Sequence, residues 1–288
     1  MTAILGPVMP YSFSQVDVFA PVPLTGNPVA VVHDATGLSD DQMAAFARWT
    51  NLSETTFLLP PTDPAADYRL RIFTPLRELP FAGHPTLGSA HAWLGLGGRP
   101  TREGRLVQEC GVGLVELREV DGTLAFQAPE LLRSGPVDEA DLAQAVAALG
   151  IAPDRVVRAG WIDNGPGWLG LQLAGAADVL ALEPDFQVMR GLEIGVLGAH
   201  ETGSAVGADV EVRAFCPAYA VPEDPVTGSL NAGFALWLTR EGHLPPSYTA
   251  RQGTAMGRDG RVAVHTDDEG RIWVGGRCHT LIEGSLTL

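Results

Sequence analysis

Two segments of the sequence resemble each other and carry a titratable residue at matching points. The first runs from Arg71 to Ala92 and the second from Arg213 to Ala232, and each begins with the pattern Arg-x-Phe-x-Pro. When the two segments are aligned by residue identity, His84 lies opposite Asp224. An imidazole and a carboxyl that face one cleft from two similar lobes can move protons on a small molecule held between them. The repeat therefore indicates an enzyme.

Each segment also predicts the elements that would position these side chains. A strand ends at the proline of the pattern, a short loop follows, and a Pro/Gly/Ser-rich stretch opens an apolar helix. We expect these helices at residues 87–94 and 230–238. Backbone N–H groups in a first helical turn lack intrahelical acceptors, so two facing helix starts would bind both ends of an anionic substrate. In one copy alone, glycine and serine that merely cap a helix would be the simpler interpretation. The alignment matches four further pairs: Pro85 with Pro225, Gly88 with Gly228, Ser89 with Ser229, and Ala92 with Ala232.

Composition limits the classes of partner. The 288 residues carry a formal net charge of −15, and the 19 Lys and Arg residues form no basic stripe. A nucleic acid or an anionic membrane surface is therefore not expected as a partner. No uncharged apolar stretch approaches the roughly 20 residues that span a bilayer. The segment Met1–Pro10 lacks the regions of a signal peptide, and three widely spaced cysteines suit a reducing compartment, so the expected location is the cytoplasm.

The order of apolar runs and turns predicts an α+β protein with two similar lobes. Each lobe is expected to hold mostly antiparallel sheet around a central helix, with the site in the cleft between the lobes. We expect an N-terminal lobe at 1–130, completed by a C-terminal strand at about 279–288, and a C-terminal lobe at 131–278. Ser39 and Gln42 form a capping box before a helix, and another helix is expected at 137–149. The strands are expected at 15–19, 28–32, 55–59, 68–73, 106–117, 124–128 and 208–215, and 156–182 is expected to be rich in strands and turns.

Several blocks of the sequence resemble signature motifs of the PhzF-like isomerase family of phenazine biosynthesis. They are Gly26–Val32, Asn51–Phe57, Glu78–Thr86, Glu223–Ser229 and, more weakly, Arg251–Arg258. The blocks occur in the family's order and span nearly the whole chain. The resemblance implies a diaminopimelate-epimerase-like fold, which agrees with the repeat. It also implies a cofactor-independent isomerase that moves a proton on a small amino or hydroxy acid, in a homodimer. The type member isomerises trans-2,3-dihydro-3-hydroxyanthranilate.

The resemblance further implies which residues form the site. Glu54 stands at the position of the catalytic acid and base, and its apolar surroundings would raise the pKa of its carboxyl. His84 and Asp224 stand where the family assists proton movement and holds the substrate. The substrate-binding positions are Asn27, Gly83, Gly228 and Ser229. Taken singly, the residues also admit structural interpretations: Glu54 in a turn that caps a strand, His84 as a buried imidazole, and Asp224 as a helix N-cap.

Two alternatives remain open at this stage. An epimerase or racemase could use Glu54 and Asp224 on opposite faces of a small acid, and a non-catalytic binding protein could keep the cleft alone. Racemisation by two thiols is not expected, because no cysteine falls at either helix start, and Cys216 lies at the end of the preceding strand. No metal or cofactor is expected, since the histidines and cysteines lack metal spacing and no nucleotide-binding motif is present. Trp161 and Trp168, which flank a Gly-rich turn, could border the cleft, but packing in the core or at a dimer face is more common for such residues.

Overall fold

The computed structural model describes residues 10–120, 122–219 and 221–288 of the chain. The sequence predicts that the segment Met1–Pro10 is not a signal peptide, and most of this segment lies outside the described residues. Within the described residues, no helix is long and apolar enough to cross a membrane.

Strands dominate the described chain, and most of them coincide with short apolar runs bounded by Pro, Gly or Asp. The strands are β1 (Pro10–Val18), β2 (Asn27–Val32), β3 (Thr55–Leu59), β4 (Tyr68–Phe73), β5 (Glu78–Leu79), β6 (Leu106–Cys110), β7 (Gly113–Val120), β8 (Thr123–Gln127), β9 (Arg133–Gly135), β10 (Val156–Asp163), β11 (Trp168–Leu173), β12 (Glu193–Ala199), β13 (Val210–Cys216), β14 (Val221–Asp224), β15 (Ser247–Gln252), β16 (Gly260–Thr266), β17 (Ile272–Gly275) and β18 (Cys278–Thr287).

Within residues 10–120, 122–219 and 221–288, five α-helices connect these strands. They are α1 (Asp40–Thr50), α2 (Gly83–Gly95), α3 (Glu139–Ala148), α4 (Ala176–Leu180) and α5 (Gly228–Phe234). A π-helical turn, Ala235–Thr239, continues α5. The predicted capping box of α1 is present, because the Ser39 side chain accepts from the backbone of Gln42 while the Gln42 side chain accepts from the backbone of Ser39.

The strand pairings occur twice, once in each half of the chain. In the first half β1–β2 is antiparallel, β2–β3 parallel, β3–β4 antiparallel and β4–β6 parallel. In the second half β10–β11, β11–β12, β12–β13 and β13–β15 repeat the same sequence of directions. Helices α2 and α5 occupy matching places, each between the fifth strand and the sixth of its half. The predicted two similar lobes are therefore visible in the topology.

The two halves join at strands that are themselves counterparts. Strand β8 pairs antiparallel with β17, which closes the seam between the lobes. The C-terminal strand β18 pairs with β1 over its whole length, and β9 makes the matching pair with β10. The expected boundary between residues 130 and 131 falls just before β9. The lobe limits themselves stay a prediction.

The Arg-x-Phe-x-Pro pattern has a structural role that the two lobes share. Arg71 makes a bidentate ion pair with Glu78, and its guanidinium lies 5.1 Å from the centroid of the Phe73 ring. Arg213 makes the same pair with Glu223 and also donates to the carbonyls of Val179 and Leu182. Arginine suits this place because its planar fork matches a carboxylate. The motif therefore fastens β4 to β5 and β13 to β14, immediately before the segments that lead into the site.

The two central helices meet at a pair of glycines. A Cβ built on Gly83 would lie 2.7 Å from the Cα of Gly228, and one built on Gly228 would lie 2.9 Å from the Cα of Gly83. No other residue type fits, because the backbones themselves are in contact. Each glycine thus occupies the same place in its own lobe.

This contact corrects the alignment predicted from the sequence. Alignment by residue identity matches Gly88 with Gly228 and His84 with Asp224, whereas in the structure Gly83 is the counterpart of Gly228. His84 then corresponds to Ser229, because each residue follows its contact glycine in the first turn of its helix. Gly88 instead lies deeper in α2, where its Cα faces the side chain of Val29.

Other departures from the predicted elements are local. Helices α2 and α5 begin four and two residues earlier than expected, and the interpretation of Asp224 as a helix N-cap is wrong, since Thr227 precedes α5. The predicted strand 106–117 is the hairpin of β6 and β7, which turns at residues 111–112 before Gly113 at φ +97°. The region 156–182 contains the short helix α4, which has too few residues to show a helical period.

Candidate active site

Glu54 enters the site from the loop that connects α1 to β3. The helix ends at Asn51, whose left-handed backbone turns the chain toward the sheet, and Glu54 directly precedes β3. Its side chain is 14% exposed, and its Oε2 is buried without a hydrogen-bond partner. Burial, together with the negative charge of nearby Asp224, raises the pKa of Glu54 well above its ordinary value.

His84 stands in the first turn of α2 and faces Glu54. Its Nε2 lies 3.3 Å from Glu54 Oε2, although the angles do not make a hydrogen bond. On the other side of the ring, Nδ1 lies 3.2 Å from the amide nitrogen of Asn27, which has hydrogens only to donate. The ring proton therefore belongs on Nε2, toward Glu54. Burial lowers the pKa of His84 to about 3, so the imidazole is neutral at physiological pH.

Asp224 reaches the same place from the end of β14 and is held by three donors. Its Oδ1 accepts from Asn27 Nδ2 at 2.9 Å and from Ser53 Oγ at 3.1 Å, and its Oδ2 accepts from Thr227 Oγ1 at 2.5 Å. Hydrogen bonds of this kind favour the ionised carboxylate and oppose the effect of burial. Burial nevertheless predominates and raises the pKa of Asp224 to about 6.

The two carboxyls are unequal, and this decides where the proton lies. Asp224 has three donors directed at it, whereas Glu54 Oε2 has none. Two close carboxyls in a buried site do not both ionise easily, so they titrate as a pair. The first ionisation belongs to Asp224, and Glu54 keeps its proton to higher pH. The result is one fixed anion beside one carboxyl whose proton can be transferred.

Asn27 connects the side chains of the site. It is fully buried, and its amide nitrogen lies within hydrogen-bond distance of His84 Nδ1, Asp224 Oδ1 and the carbonyl of Val226. The residue therefore fixes both the histidine tautomer and the carboxylate. In this structure it contacts the acid–base groups, while a direct contact with substrate stays a prediction.

The first turns of α2 and α5 bring to the site backbone N–H groups that have no acceptor within the helix. The first intrahelical bond of α2 is donated by Thr86, and that of α5 by Asn231, so the preceding N–H groups have no helical acceptor. Gly83 and His84 are among these donors in α2, as are Gly228 and Ser229 in α5. Because the starts touch at the two glycines, donors from both lobes converge on one place.

A cavity of about 30 Å³ lies between the lobes beside these groups. Its lining includes two of the three predicted catalytic side chains and one predicted substrate-binding residue: Glu54, Asp224 and Ser229. The volume holds about two water molecules.

Ser53, Trp168 and Cys216 are among the lining residues that the sequence did not assign to the site. Ser53 binds Asp224. Trp168 packs in the hydrophobic core and also lines the cavity, where its indole nitrogen donates to Ser229 Oγ at 3.1 Å. Cys216 is buried, and burial raises the pKa of its thiol well above the ordinary value. A thiolate is therefore disfavoured here, which agrees with the prediction that no pair of thiols carries the chemistry. Ser53 could have been found, since it lies in the same motif as Glu54.

Comparison with known proteins decides the family. The family model described as phenazine biosynthesis-like protein, PhzC-PhzF, matches residues 16–284. The chain belongs to this family. The resemblance of the five sequence blocks is thereby confirmed.

Curated relatives align along almost their full length. The "antisense-enhancing sequence 1" protein of Schizosaccharomyces pombe is 39% identical, with 95% of this chain and 98% of the relative covered. The trans-2,3-dihydro-3-hydroxyanthranilate isomerase of Pseudomonas aeruginosa is 36% identical, with 90% and 92% covered. The prediction of an isomerase agrees with the name of the second relative.

A solved structure confirms the predicted fold class. A phenazine biosynthesis protein of the PhzF family from Enterococcus faecalis superposes with a TM-score of 0.77 and is 26% identical. The match covers 97% of this chain and all of the other. The α+β fold of two similar lobes is therefore the fold of the family.

Proposed function

We propose that this protein is a cofactor-independent isomerase that moves a proton between two carbons of a small cyclic or conjugated amino or hydroxy acid. The observation that carries the proposal is the state of Glu54. Its buried and unpartnered oxygen faces a neutral imidazole on one side and lies near a hydrogen-bonded carboxylate on the other. A carboxyl with a raised pKa is a stronger base once ionised, and its protonated form is populated to higher pH, so that one group can both take and return a proton.

In the proposed reaction the ionised form of Glu54 takes a proton from an activated C–H of the substrate. The electron pair left on carbon is delocalised through the conjugated system. Glu54 then delivers a proton to another carbon of that system, which restores the carboxylate. No electron or group is gained or lost, so the balance is that of an isomerisation.

The surrounding groups would divide the remaining tasks. The substrate carboxylate would lie against the unbonded N–H groups of Gly83, Gly228 and Ser229, at the positive ends of α2 and α5. The Nε2–H of His84 would donate to a polar group of the substrate, because the neutral ring keeps that proton. Asp224, ionised before Glu54, would stabilise positive charge and hold the orientation of Asn27.

The name of one relative suggests a first substrate. One relative is named trans-2,3-dihydro-3-hydroxyanthranilate isomerase, and this acid combines a carboxylate with a conjugated ring, an amino group and a hydroxyl. We therefore propose an acid of this class as substrate. Operation in the cytoplasm as a homodimer is also proposed.

Proton exchange in D₂O tests the proposal. Wild-type protein and Glu54→Gln are incubated with trans-2,3-dihydro-3-hydroxyanthranilate and a panel of small amino and hydroxy acids, and C–H loss and product are followed by NMR. We expect exchange in the wild type and a loss of about 10²- to 10⁴-fold in Glu54→Gln, which is the usual contribution of a general acid or base. Equal exchange in both proteins would show that Glu54 does not carry the proton. Binding without exchange by the wild type would instead favour a non-catalytic binding protein.

A further inference from the structure

Glu193, at the beginning of β12, is the counterpart of Glu54 in the second lobe. Glu54 directly precedes Thr55, which pairs with Phe73. Glu193 directly precedes Ile194, which pairs with Phe215. Both phenylalanines belong to the Arg-x-Phe-x-Pro pattern. The repeat that brings α2 and α5 together thus also supplies one glutamate from each lobe. No sequence motif surrounds Glu193, and only the sheet register reveals the correspondence.

The sheet register places Glu193 next to residues that line the cavity. Glu193 is paired with Trp168 of β11, and continuing the β12–β13 ladder by one residue beyond the Ile194–Phe215 pair brings Cys216 to its other side. Residues that pair across neighbouring strands project from the same face of a sheet. Trp168 and Cys216 both line the cavity between the lobes. Glu193 therefore lies on the sheet face that carries these two lining residues, although it is not itself one of the residues that line the cavity in this structure.

The Glu193 carboxyl is buried and incompletely bonded. The residue is 9% exposed, and its Oε2 is buried without a hydrogen-bond partner. Burial raises its pKa to about 7, although the charge of Arg77 acts in the opposite direction. An unsatisfied buried polar atom costs free energy that a bound donor would recover. The same combination, a buried carboxyl with an unpartnered oxygen, marks Glu54 on the opposite lobe.

We infer that Glu193 is a substrate-binding residue that accepts a hydrogen bond from an amino or hydroxyl group of the substrate. The inference rests on the proposed function, which it deepens by naming a second polar group that the substrate must carry. The substrate would be held at its carboxylate by the helix starts and at a donor group by Glu193. Glu54 would remain free to act on the carbon skeleton. An acid that lacks such a donor would bind weakly.

Binding of three aromatic acids tests this role. The probes are 3-hydroxyanthranilate, 3-hydroxybenzoate, which lacks the amino group, and anthranilate, which lacks the hydroxyl. Calorimetry measures Kd for wild type, Glu193→Leu and Glu193→Gln. We expect the wild type to bind 3-hydroxyanthranilate about tenfold more tightly than the analogue without the relevant donor, and Glu193→Leu to lose this preference. The analogue that binds weakly identifies the amino group or the hydroxyl as the partner.

Controls separate a contact with the ligand from a general loss of structure. Glu193→Gln keeps the shape of the side chain and is expected to lose part of the preference, with a melting temperature near that of the wild type. Glu211→Gln alters another buried glutamate, one that binds His200 and Thr254, and is expected to keep the preference.

Several outcomes would overturn the inference. It is wrong if a folded Glu193→Leu or Glu193→Gln keeps the full wild-type preference. It is also wrong if the wild type distinguishes none of the three acids, or binds none of them. Failure of the proposed isomerisation gives a different result, namely a donor preference that depends on Glu193 together with no proton exchange by the wild type in D₂O.

Discussion

Replacing Thr227 by valine should move the acid limb of the pH–rate profile to higher pH. The Thr227 hydroxyl donates to Asp224 Oδ2 at 2.5 Å, and valine has the same shape without the donor. The hydrogen bond favours the ionised carboxylate, so its loss raises the pKa of Asp224. A hydrogen bond to a charged group contributes about 1.5–3 kcal/mol. At about 1.4 kcal/mol for each pKa unit, the expected rise is one to two units.

The measurement is kcat/KM for proton exchange between pH 4.5 and 9, in wild type, Thr227→Val and Thr227→Ser. The serine variant keeps the hydroxyl and is the matched control. In the wild type the acid limb follows two ionisations of the coupled pair: its lower break lies near pH 6, where Asp224 loses its proton, and its upper break lies at the higher pH where Glu54 becomes the ionised base. We expect the lower break of Thr227→Val at about pH 7–8, while that of Thr227→Ser stays near the wild type.

Thermal unfolding supplies an independent readout with a defined sign. The lost hydrogen bond stabilised the ionised form of Asp224, which is populated above the folded pKa of about 6. Thr227→Val should therefore lose more stability, relative to wild type, at pH 8 than at pH 5, because at low pH the carboxyl is protonated in both proteins. An unchanged acid limb, together with a stability difference that is independent of pH, would refute the reasoning about Asp224.

Two further substitutions test the contact of the lobes and the role of the thiol. Gly228→Ala should destabilise the protein by about 1–3 kcal/mol, because its Cβ would lie 2.9 Å from the Cα of Gly83. The control is Gly284→Ala, where a Cβ meets no atom within 4 Å. Equal melting temperatures of the two variants would contradict the contact. Cys216→Ala should keep turnover within about threefold, since the buried thiol has a raised pKa and is not available as a base. A loss of more than about 100-fold would indicate that the thiol takes part.

Local patterns in the sequence predicted the elements well where side chains alone determine them. The strands Thr55–Leu59 and Tyr68–Phe73 have the predicted limits, because each apolar run is bounded by turn residues. The capping box at Ser39 depends only on residues three apart and is present as predicted. Glu54, His84 and Asp224 come together as the family resemblance implies, although their catalytic roles stay a prediction.

Long-range geometry could not be obtained in the same way. The sequence shows many glycines, but it does not show which of them touch another backbone. Alignment by residue identity therefore paired Gly228 with Gly88 and not with Gly83. Glu193 was missed for a similar reason, since a glutamate at the start of an apolar strand has no distinctive pattern. Its meaning depends on strand register, which is fixed by pairing between segments far apart in the chain.

The pairing of β18 with β1 has a consequence for how the molecule forms. Residues 10–18 find their partners at 278–287, so the first lobe gains an edge strand only after most of the chain has been ordered. Contacts of such long sequence separation slow folding, because the entropy of closing a large loop is lost before the pairing is gained. The lobe whose sequence comes first is thus completed last. Until then, the exposed edge of β1 is open to pairing with another chain, and aggregation during refolding should increase with protein concentration.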